Sequence, residues 1–205
     1  MGFYARHMLP WLADLSMRNS YLAAYRRVTI SAARGAVIEI GIGSGLNVPL
    51  YGSPASHVYG VDPSLESLLM VKKRLKHASL PVELLRASAQ DLPISSHCAD
   101  TAVITWTLCT IPDPIKALGE MRRVLKPGGR LLFVEHGLAP EGKVQRWQNR
   151  LDPCWQRISG GCHLNRKMDD LIGAGGFRID EIHTGYTKGP KSLAFIYQGC
   201  AVPRA

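Results

Sequence analysis

The stretch Glu39-Ile40-Gly41-Ile42-Gly43-Ser44-Gly45 decides the fold, because it places three glycines directly after an apolar run. That run, 36–40, predicts a strand, and the glycines let the backbone turn sharply and approach a ligand closely. A second predicted strand, 57–61, is followed by Asp62, 17 residues past Gly45. A doubly wound sheet places an acid there to accept hydrogen bonds from ribose hydroxyls. We therefore predict a nucleoside-containing ligand; the alternative is a tight turn without a ligand.

The rest of the chain alternates between strand and helix patterns, which is typical of a parallel sheet with crossover helices. We predict helices over 64–77, with Ser64 as N-cap, and over 114–125 and 166–174. Further strands are predicted at 82–85, 101–105, 130–135, 177–183 and 193–198. These strands, with the first two, predict an α/β, Rossmann-like fold with seven strands.

The glycine spacing favours S-adenosyl-L-methionine over a dinucleotide. The glycines follow GxGxG, one residue shorter than the GxGxxG dinucleotide fingerprint. A dinucleotide needs a free helix N-terminus to hold its pyrophosphate. A sulfonium cofactor has no phosphate and carries a positive charge, so an acid such as Glu39 beside the loop suits it.

Four motifs support this choice: EIGIGSGLN (39–47), VYGVDPS (58–64), ASAQDLP (87–93) and LGEMRRVLKPGGRLLFVEH (118–136). In order and spacing they resemble the class I methyltransferases of the ubiquinone/menaquinone-type group. The resemblance implies a mostly parallel seven-stranded sheet with helices on both faces and an antiparallel last strand. The family often has Glu where Gln90 stands. The implied cofactor-binding residues are Glu39, Gly41, Gly43, Gly45, Asp62, Pro63, Ser88, Ala89, Gln90, Thr105 and Trp106.

The acceptor side is predicted to lie at about 136–167. Thr105-Trp106-Thr107-Leu108 replaces the N-P-P-Y type tetrapeptide that grips planar amines, which argues against a DNA-base acceptor. The segments 135–140, 145–166 and 171–177 resemble animal methyltransferase-like enzymes that methylate alkyl thiols and hydrogen sulfide. We therefore expect a small lipophilic acceptor, with a thiol sulfur as the first choice. The alternatives are a phospholipid amine, a quinol carbon, or a non-catalytic cofactor-binding or RNA-associated protein.

Two residues of this segment are candidates for catalysis. His136 follows a predicted strand, at the edge where acceptors bind in open α/β sheets, and an imidazole could take a thiol proton there. The alternative is a histidine that only hydrogen-bonds neighbouring backbone. Asp152 could orient a histidine, or form an ion pair with an arginine, which is the simpler expectation. Cys162 needs no catalytic role, because methyl transfer requires no covalent enzyme intermediate.

Residues 1–34 predict an amphipathic helical cap that precedes the methyltransferase domain, 35–205. Arginines, Arg6 among them, outnumber the one acid of this segment, Asp14. The cap is expected to be a lid, an interfacial helix that touches anionic membrane, or both. The basic clusters 72–74 and 122–123 are expected to face water, although the net charge is +9.

Composition excludes several classes of protein. Hydrophobic residues make up 46% of the 205 residues and charged ones 20%, as in a globular domain. Apolar runs are too short to span a bilayer, and the first residues lack a signal-peptide pattern. The five cysteines form no CxxC pair, so neither disulfides nor a metal site is expected. We expect a cytoplasmic enzyme, peripheral to a membrane if the cap binds lipid.

Overall fold

The computed structural model describes residue 4 and residues 8–204; part of the predicted cap, including Arg6, lies outside the described residues. Seven strands of the described chain form one sheet: β1 Gly35–Ile40, β2 Ala55–Val61, β3 Val82–Leu85, β4 Ala99–Thr105, β5 Leu125–His136, β6 Phe177–Tyr186 and β7 Phe195–Pro203. Their order is β3-β2-β1-β4-β5-β7-β6, and β7 is antiparallel to both its neighbours. All pairs among the first five strands are parallel, so the predicted fold is confirmed.

The helices cover both faces of the sheet. They are α1 Leu9–Met17, α2 Ser20–Ser31, α3 Leu65–Leu75, α4 Pro114–Val124, α5 Gly142–Ile158, α6 Met168–Ala174 and α7 Lys191–Ala194, with a 3₁₀ turn at Val48–Leu50. Ser64 caps α3 as predicted, because its hydroxyl accepts a hydrogen bond from Ser67 N. Among the described residues, no helix has the length and apolar character needed to cross a membrane.

The core follows the two-residue period of the central strands. One face, with Ile38, Ile104 and Phe133, packs with residues of α4 and α6. The opposite face, with Val37 and Val103, packs against residues of α2 and its neighbours. Because β1 and β4 are adjacent while their crossovers leave in opposite directions, a crevice opens beyond their carboxyl ends. That topological switch point places the loops after β1 and β4 side by side.

Three of the differences from the predicted elements have a clear local cause. Helix α5 was missed, since Pro153 inside it and Gly160-Gly161 after it suggest a loop. Strand β5 begins at Leu125, because the Pro-Gly-Gly turn is absorbed as an irregularity in its pairing with β4. Strand β7 begins at Phe195, not at residue 193, because the short helix α7 follows Pro190.

One charge expectation is also wrong. Lys72 and Lys73 are exposed, but the Arg74 side chain is only 19% exposed and donates to Ser44 O at 2.6 Å. Its other nitrogen, Nη2, lies 2.8 Å from Asp14 Oδ1 in α1. Arg74, which was expected to be solvated with its two neighbours, therefore holds α1 against the glycine loop.

Candidate functional site

The glycine loop after β1 has a left-handed backbone at each of its three glycines. The φ angles of Gly41, Gly43 and Gly45 are +72°, +56° and +82°. A Cβ on Gly41 would lie 2.3 Å from the Thr107 side chain, and one on Gly45 would lie 2.9 Å from Val71. A Cβ on Gly43 would have no neighbour closer than Gly41 O at 3.8 Å. Packing therefore requires two of these glycines, whereas Gly43 borders open space.

Asp62 joins the glycine loop to the end of β2. Its Oδ2 accepts a hydrogen bond from Gly43 N at 3.0 Å, and its Oδ1 accepts one from Ser64 N at 2.8 Å. The carboxyl is nearly buried, and burial raises its pKa against the effect of these two donors. The structure thus places Asp62 in direct contact with the glycine loop.

Glu39 lies fully buried beneath the loop. Its two oxygens accept hydrogen bonds from Asn47 Nδ2 and Tyr51 Oη, each at 2.8 Å. Burial raises the pKa of Glu39 to about 7, although both hydrogen bonds favour the ionised form. Asn47 Nδ2 also lies 3.1 Å from Thr105 Oγ1, while the buried Asn47 Oδ1 has no hydrogen-bond partner. The site therefore presents a buried acid and an unused acceptor to a positively charged or donor-rich ligand.

The two N-terminal helices lie over this loop. Asp14 in α1 is buried and accepts a hydrogen bond from Ser44 Oγ at 2.5 Å, beside its contact with Arg74. In α2, the guanidinium of Arg26 lies 4.6 Å from the Trp106 ring centroid. Burial lowers the pKa of Arg26 to about 10, while the charges of Glu39 and Asp14 oppose that shift. The helices thus bring a buried cation to the carboxyl edge of the sheet.

The remaining predicted cofactor residues surround the same edge. Thr105 ends β4, and Trp106 has a left-handed φ of +49°, which is uncommon for a bulky residue and turns the chain beneath Arg26. Pro63 follows Asp62, and its carbonyl oxygen lies 3.5 Å from Arg86 Nε. In the loop after β3, Gln90 N donates to Ser88 Oγ, Gln90 Oε1 accepts from Asp113 N at 3.4 Å, and Ala89 packs against the core.

Glu135 shapes the loop after β4, on the acceptor side. Its Oε1 accepts hydrogen bonds from the backbone N–H groups of Thr107 and Leu108 at 2.7 and 2.9 Å. Its Oε2 accepts a longer one from Cys109 N, at 3.4 Å. The side chain is fully buried, and burial raises its pKa to about 7 against these donors. Glu135 therefore fixes the backbone that leads from Thr107, beside the glycine loop, to Cys109.

His136 contacts a protein thiol, an arrangement that the sequence did not predict. Its Nε2 lies 2.8 Å from Cys162 Sγ, which in turn lies 3.5 Å from Cys109 Sγ. Burial is the largest single influence and lowers the pKa of His136, but the hydrogen bond with Cys162 and the negative charges of Cys162, Glu135 and Asp152 together outweigh it and raise the pKa. Hydrogen bonding from Cys109, and then from His136, lowers the pKa of Cys162 despite burial. We call these three side chains the sulfur–imidazole cluster.

Asp152 holds the segment that carries Cys162. Its Oδ1 accepts from Leu164 N and its Oδ2 from Gln156 Nε2, both at 2.6 Å. The expected ion pair with an arginine is not formed among the described residues; Asp152 Oδ2 instead lies 3.4 Å from His163 Nδ1. Asp152 thus joins α5 to the residues just after Cys162 and lies beside a different histidine from His136.

Sequence reasoning missed two members of the site. Cys109 was treated as an isolated cysteine, since 53 residues separate it from Cys162. Arg26 was read as part of a basic surface segment, and its single sequence signal is a position in an amphipathic helix. Both residues were missed for the same reason. Their contacts join elements that are distant in sequence, and a sequence pattern describes one element at a time.

Comparisons with known proteins identify a methyltransferase domain in the chain and methyltransferases of similar sequence. Residues 38–133 match the family described as methyltransferase domain. Thiol S-methyltransferase TMT1B of Rattus norvegicus is 36% identical over 135 residues, which cover 64% of this chain and 55% of the relative. Demethylmenaquinone methyltransferase of Clavibacter sepedonicus is 32% identical over 134 residues, covering 64% and 54%. The chain therefore spans just over half the length of these curated relatives.

A solved structure shows the same fold at low sequence identity. The N-methyltransferase NodS of Bradyrhizobium japonicum, in complex with S-adenosyl-L-homocysteine, has a TM-score of 0.71 and 14% identity, with 98% of this chain and 95% of that chain covered. The strand order and the domain match indicate the same fold. The chain therefore contains a methyltransferase domain, matched over residues 38–133, and has the Rossmann-like fold of class I S-adenosylmethionine-dependent methyltransferases.

Proposed function

We propose that the protein transfers a methyl group from S-adenosylmethionine to a small lipophilic acceptor, and that the acceptor atom is a thiol sulfur. The cofactor fits the residues present at the carboxyl edge of β1 and β2. Open space borders Gly43, Asp62 can accept from ribose hydroxyls, and the partnerless Asn47 Oδ1 can accept from the cofactor's ammonium. The buried guanidinium of Arg26 can pair with the cofactor's carboxylate. When bound, the cofactor supplies the methyl sulfonium.

The carboxylates on the acceptor side already accept hydrogen bonds from the protein, which favours a thiol acceptor over an amine. Glu135 is occupied by three backbone N–H groups, and Asp152 by Leu164 N and Gln156. An ammonium head group would need a free carboxylate or an aromatic cage. The Arg166 side chain, whose Nη1 donates to Leu108 O and Ile111 O, instead adds positive charge there, which favours an anionic sulfur. Similarity to a thiol S-methyltransferase supports the same choice.

In this proposal, the protein orients the acceptor and excludes water. The acceptor sulfur attacks the cofactor's methyl carbon while the bond from that carbon to the sulfonium breaks, and its electron pair stays on S-adenosylhomocysteine. Positioning supplies much of the gain in such a displacement. We assign activation of the acceptor thiol to the sulfur–imidazole cluster, in which His136 participates. Asp152 has a positioning role, since it fixes the segment that holds Cys162.

An acceptor panel tests the assignment. Formation of S-adenosylhomocysteine is measured for the purified protein with an alkyl thiol, hydrogen sulfide, a demethylquinol and phosphatidylethanolamine vesicles. We expect turnover with the thiols and none with the amine or the quinol. Turnover with vesicles or quinol alone contradicts the thiol assignment. RNA binding that weakens steeply with salt, without turnover of any acceptor, contradicts the enzyme proposal itself.

The buried Glu39 predicts a pH dependence of cofactor affinity. Its pKa of about 7 means that the ionised fraction rises between pH 6 and 8. The ionised carboxylate attracts the sulfonium, so the cofactor lowers this pKa, a proton is released on binding, and affinity rises with pH until it levels off above 7. By titration calorimetry, we expect the affinity for S-adenosylmethionine to increase up to roughly tenfold over this range.

The Glu39→Gln variant is the control, because it keeps a side chain of the same shape without the titrating charge. Its affinity for S-adenosylmethionine should be weaker and flat between pH 6 and 8. A Gln variant that retains the full pH dependence would assign the titration to another group. An affinity that falls with rising pH would contradict the placement of Glu39 beside the sulfonium.

We also propose that the cap contacts an anionic membrane surface. Trp11 and Leu15 of α1 are 58% and 55% exposed. The adjoining helix α5 exposes Trp147, and the two helices meet where Leu9 packs on Gly160. The exposed basic residues of α5 that flank this apolar surface are Lys143, Arg146, Arg150 and Arg157. Apolar side chains ringed by cations suit the headgroup region of anionic lipid.

Vesicle co-sedimentation tests the membrane contact. The wild-type protein should partition onto vesicles that contain phosphatidylglycerol, and less onto phosphatidylcholine alone. Burial of a large apolar side chain contributes about 1.5–3 kcal/mol, so Trp11→Ala with Leu15→Ala should reduce partitioning at least roughly tenfold. The matched control is Leu65→Ala with Leu69→Ala, which removes exposed apolar residues from α3. Equal loss in both double variants would contradict a contact specific to α1.

A further inference from the structure

We propose that the sulfur–imidazole cluster is a zinc site, with Cys109 Sγ, Cys162 Sγ and His136 Nε2 as three protein ligands. All three ligand atoms lie within 4.8 Å of one another. A tetrahedral Zn²⁺ with bonds of about 2.3 Å to sulfur and about 2.0 Å to nitrogen separates its ligand atoms by roughly 3.5–3.8 Å. The observed separations of 3.5 Å between the sulfurs and 2.8 Å from Nε2 to Cys162 Sγ need adjustments of about 1 Å or less.

The three ligands come from separate elements, and each is held by its own backbone contacts. Cys109 N donates to Glu135, and Cys109 O accepts from His163 N at 2.9 Å. His136 is the last residue of β5, where it pairs with Ile196 of β7. Cys162 follows two glycines with left-handed φ angles, and Asp152 holds the residues just after it. Such outer contacts orient the first ligands of a metal and are part of a built site.

The ligand set selects the class of metal. Two thiolates and one neutral imidazole are soft to borderline donors, which suit zinc and exclude Mg²⁺ or Ca²⁺, since those ions prefer oxygen. Two thiolates also balance the charge of a divalent ion, which makes the complex neutral at a site whose two cysteines are buried. Three protein ligands with a fourth position open is the composition of a catalytic zinc site.

The open position gives the site a role in the proposed function, on which this second step rests. The cluster shares the carboxyl edge with the glycine loop, because Cys109 stands two residues past Thr107, whose side chain packs against Gly41. An acceptor thiol that binds the metal loses its proton to solvent, since a coordinated thiol is deprotonated. The resulting thiolate attacks the sulfonium methyl carbon, and the products are a methyl thioether and S-adenosylhomocysteine.

Metal stoichiometry tests the site independently of activity. The protein, stripped with a chelator and kept reduced with a phosphine, is incubated with Zn²⁺, freed of excess metal and analysed by mass spectrometry of the elements. We expect about one zinc per chain. The variants Cys109→Ser, Cys162→Ser and His136→Ala should lose the metal, while Cys98→Ser and Cys200→Ser, which alter cysteines outside the cluster, should retain it. Zinc retention equal in Cys109→Ser, Cys162→Ser and wild type overturns the proposal.

Two further measurements keep the test decisive if a variant folds poorly. Co²⁺ added to the stripped wild-type protein should give the absorption of a tetrahedral thiolate site, and Zn²⁺ should raise its thermal unfolding midpoint. Absence of both responses overturns the site. Chelation should abolish thiol methylation, and Zn²⁺ should restore it, with affinity for S-adenosylhomocysteine unchanged throughout. Full activity of the metal-free protein overturns the catalytic role, whereas zinc binding without any thiol turnover contradicts the proposed acceptor and leaves the site standing.

Discussion

Replacement of Asp62 by alanine should weaken the binding of S-adenosylhomocysteine about 100-fold. The carboxylate lies where ribose hydroxyls are expected, and hydrogen bonds to a charged group contribute about 1.5–3 kcal/mol each. Two such bonds account for the expected loss, since about 1.4 kcal/mol corresponds to tenfold in affinity. The substitution also removes the acceptors of Gly43 N and Ser64 N, which loosens the loop. The affinity is measured by titration calorimetry with S-adenosylhomocysteine, because its thioether sulfur carries no charge and the result does not depend on the sulfonium.

Two control variants are measured beside Asp62→Ala. Asp62→Asn keeps one acceptor oxygen and should lose less affinity than the alanine variant. Asp180→Ala removes an acid of β6 that pairs with Arg178, and it should bind like the wild type. Thermal unfolding of each variant shows whether the fold is retained. A folded Asp62→Ala protein with affinity within threefold of wild type would place the ribose elsewhere.

A single methyl group on Gly43 should weaken cofactor binding markedly, with little effect on the fold. The new Cβ would meet no protein atom closer than Gly41 O at 3.8 Å, so it would project into the space proposed for the cofactor. Overpacking of that kind costs roughly 1–3 kcal/mol, which corresponds to a loss of about 5- to 150-fold in affinity. The left-handed φ of +56° adds about 1–2 kcal/mol of strain to the folded protein.

Gly128→Ala is the matched control for that strain. Gly128 also has a left-handed φ, +78°, and an added Cβ there would meet nothing within 4 Å. It lies in the Pro-Gly-Gly turn of β5, at the opposite edge of the sheet from the glycine loop. Both variants should lose similar stability in chemical unfolding, but Gly43→Ala alone should lose affinity for S-adenosylhomocysteine. Equal affinities would show that Gly43 does not border the cofactor.

The cofactor side was predictable because its residues follow strands in a repeating order. Parallel strands end at one edge, so the residues after β1, β2 and β4 converge there whatever the intervening helices contain. The contact between Gly43 and Asp62 follows from that rule. Helix α5 was not predicted, because Pro153 and the glycines after the helix are typical of loops, and tertiary packing overrides them here.

The acceptor side was less predictable, since its contacts join segments without a shared period. His136 was singled out by its position at the end of a strand, but its partner, Cys162, lies 26 residues away in a turn. Spacing alone argued against a metal site, because ligands from three elements leave no CxxC pattern. Asp14 and Arg74 also form an ion pair across 60 residues. Sequence patterns therefore could not predict how the cap packs on the domain.

Transfer of an isotopically labelled methyl group tests the central claim most directly. The protein is incubated with S-adenosylmethionine that carries ¹³C in its methyl group, together with an alkyl thiol, and both products are identified by mass spectrometry. The account predicts a labelled methyl thioether and an equal amount of S-adenosylhomocysteine from the wild type, with much less of both from Asp62→Ala at the same sub-saturating cofactor concentration. A wild-type protein that binds the cofactor yet leaves the thiol unlabelled, while another acceptor carries the label, would contradict it.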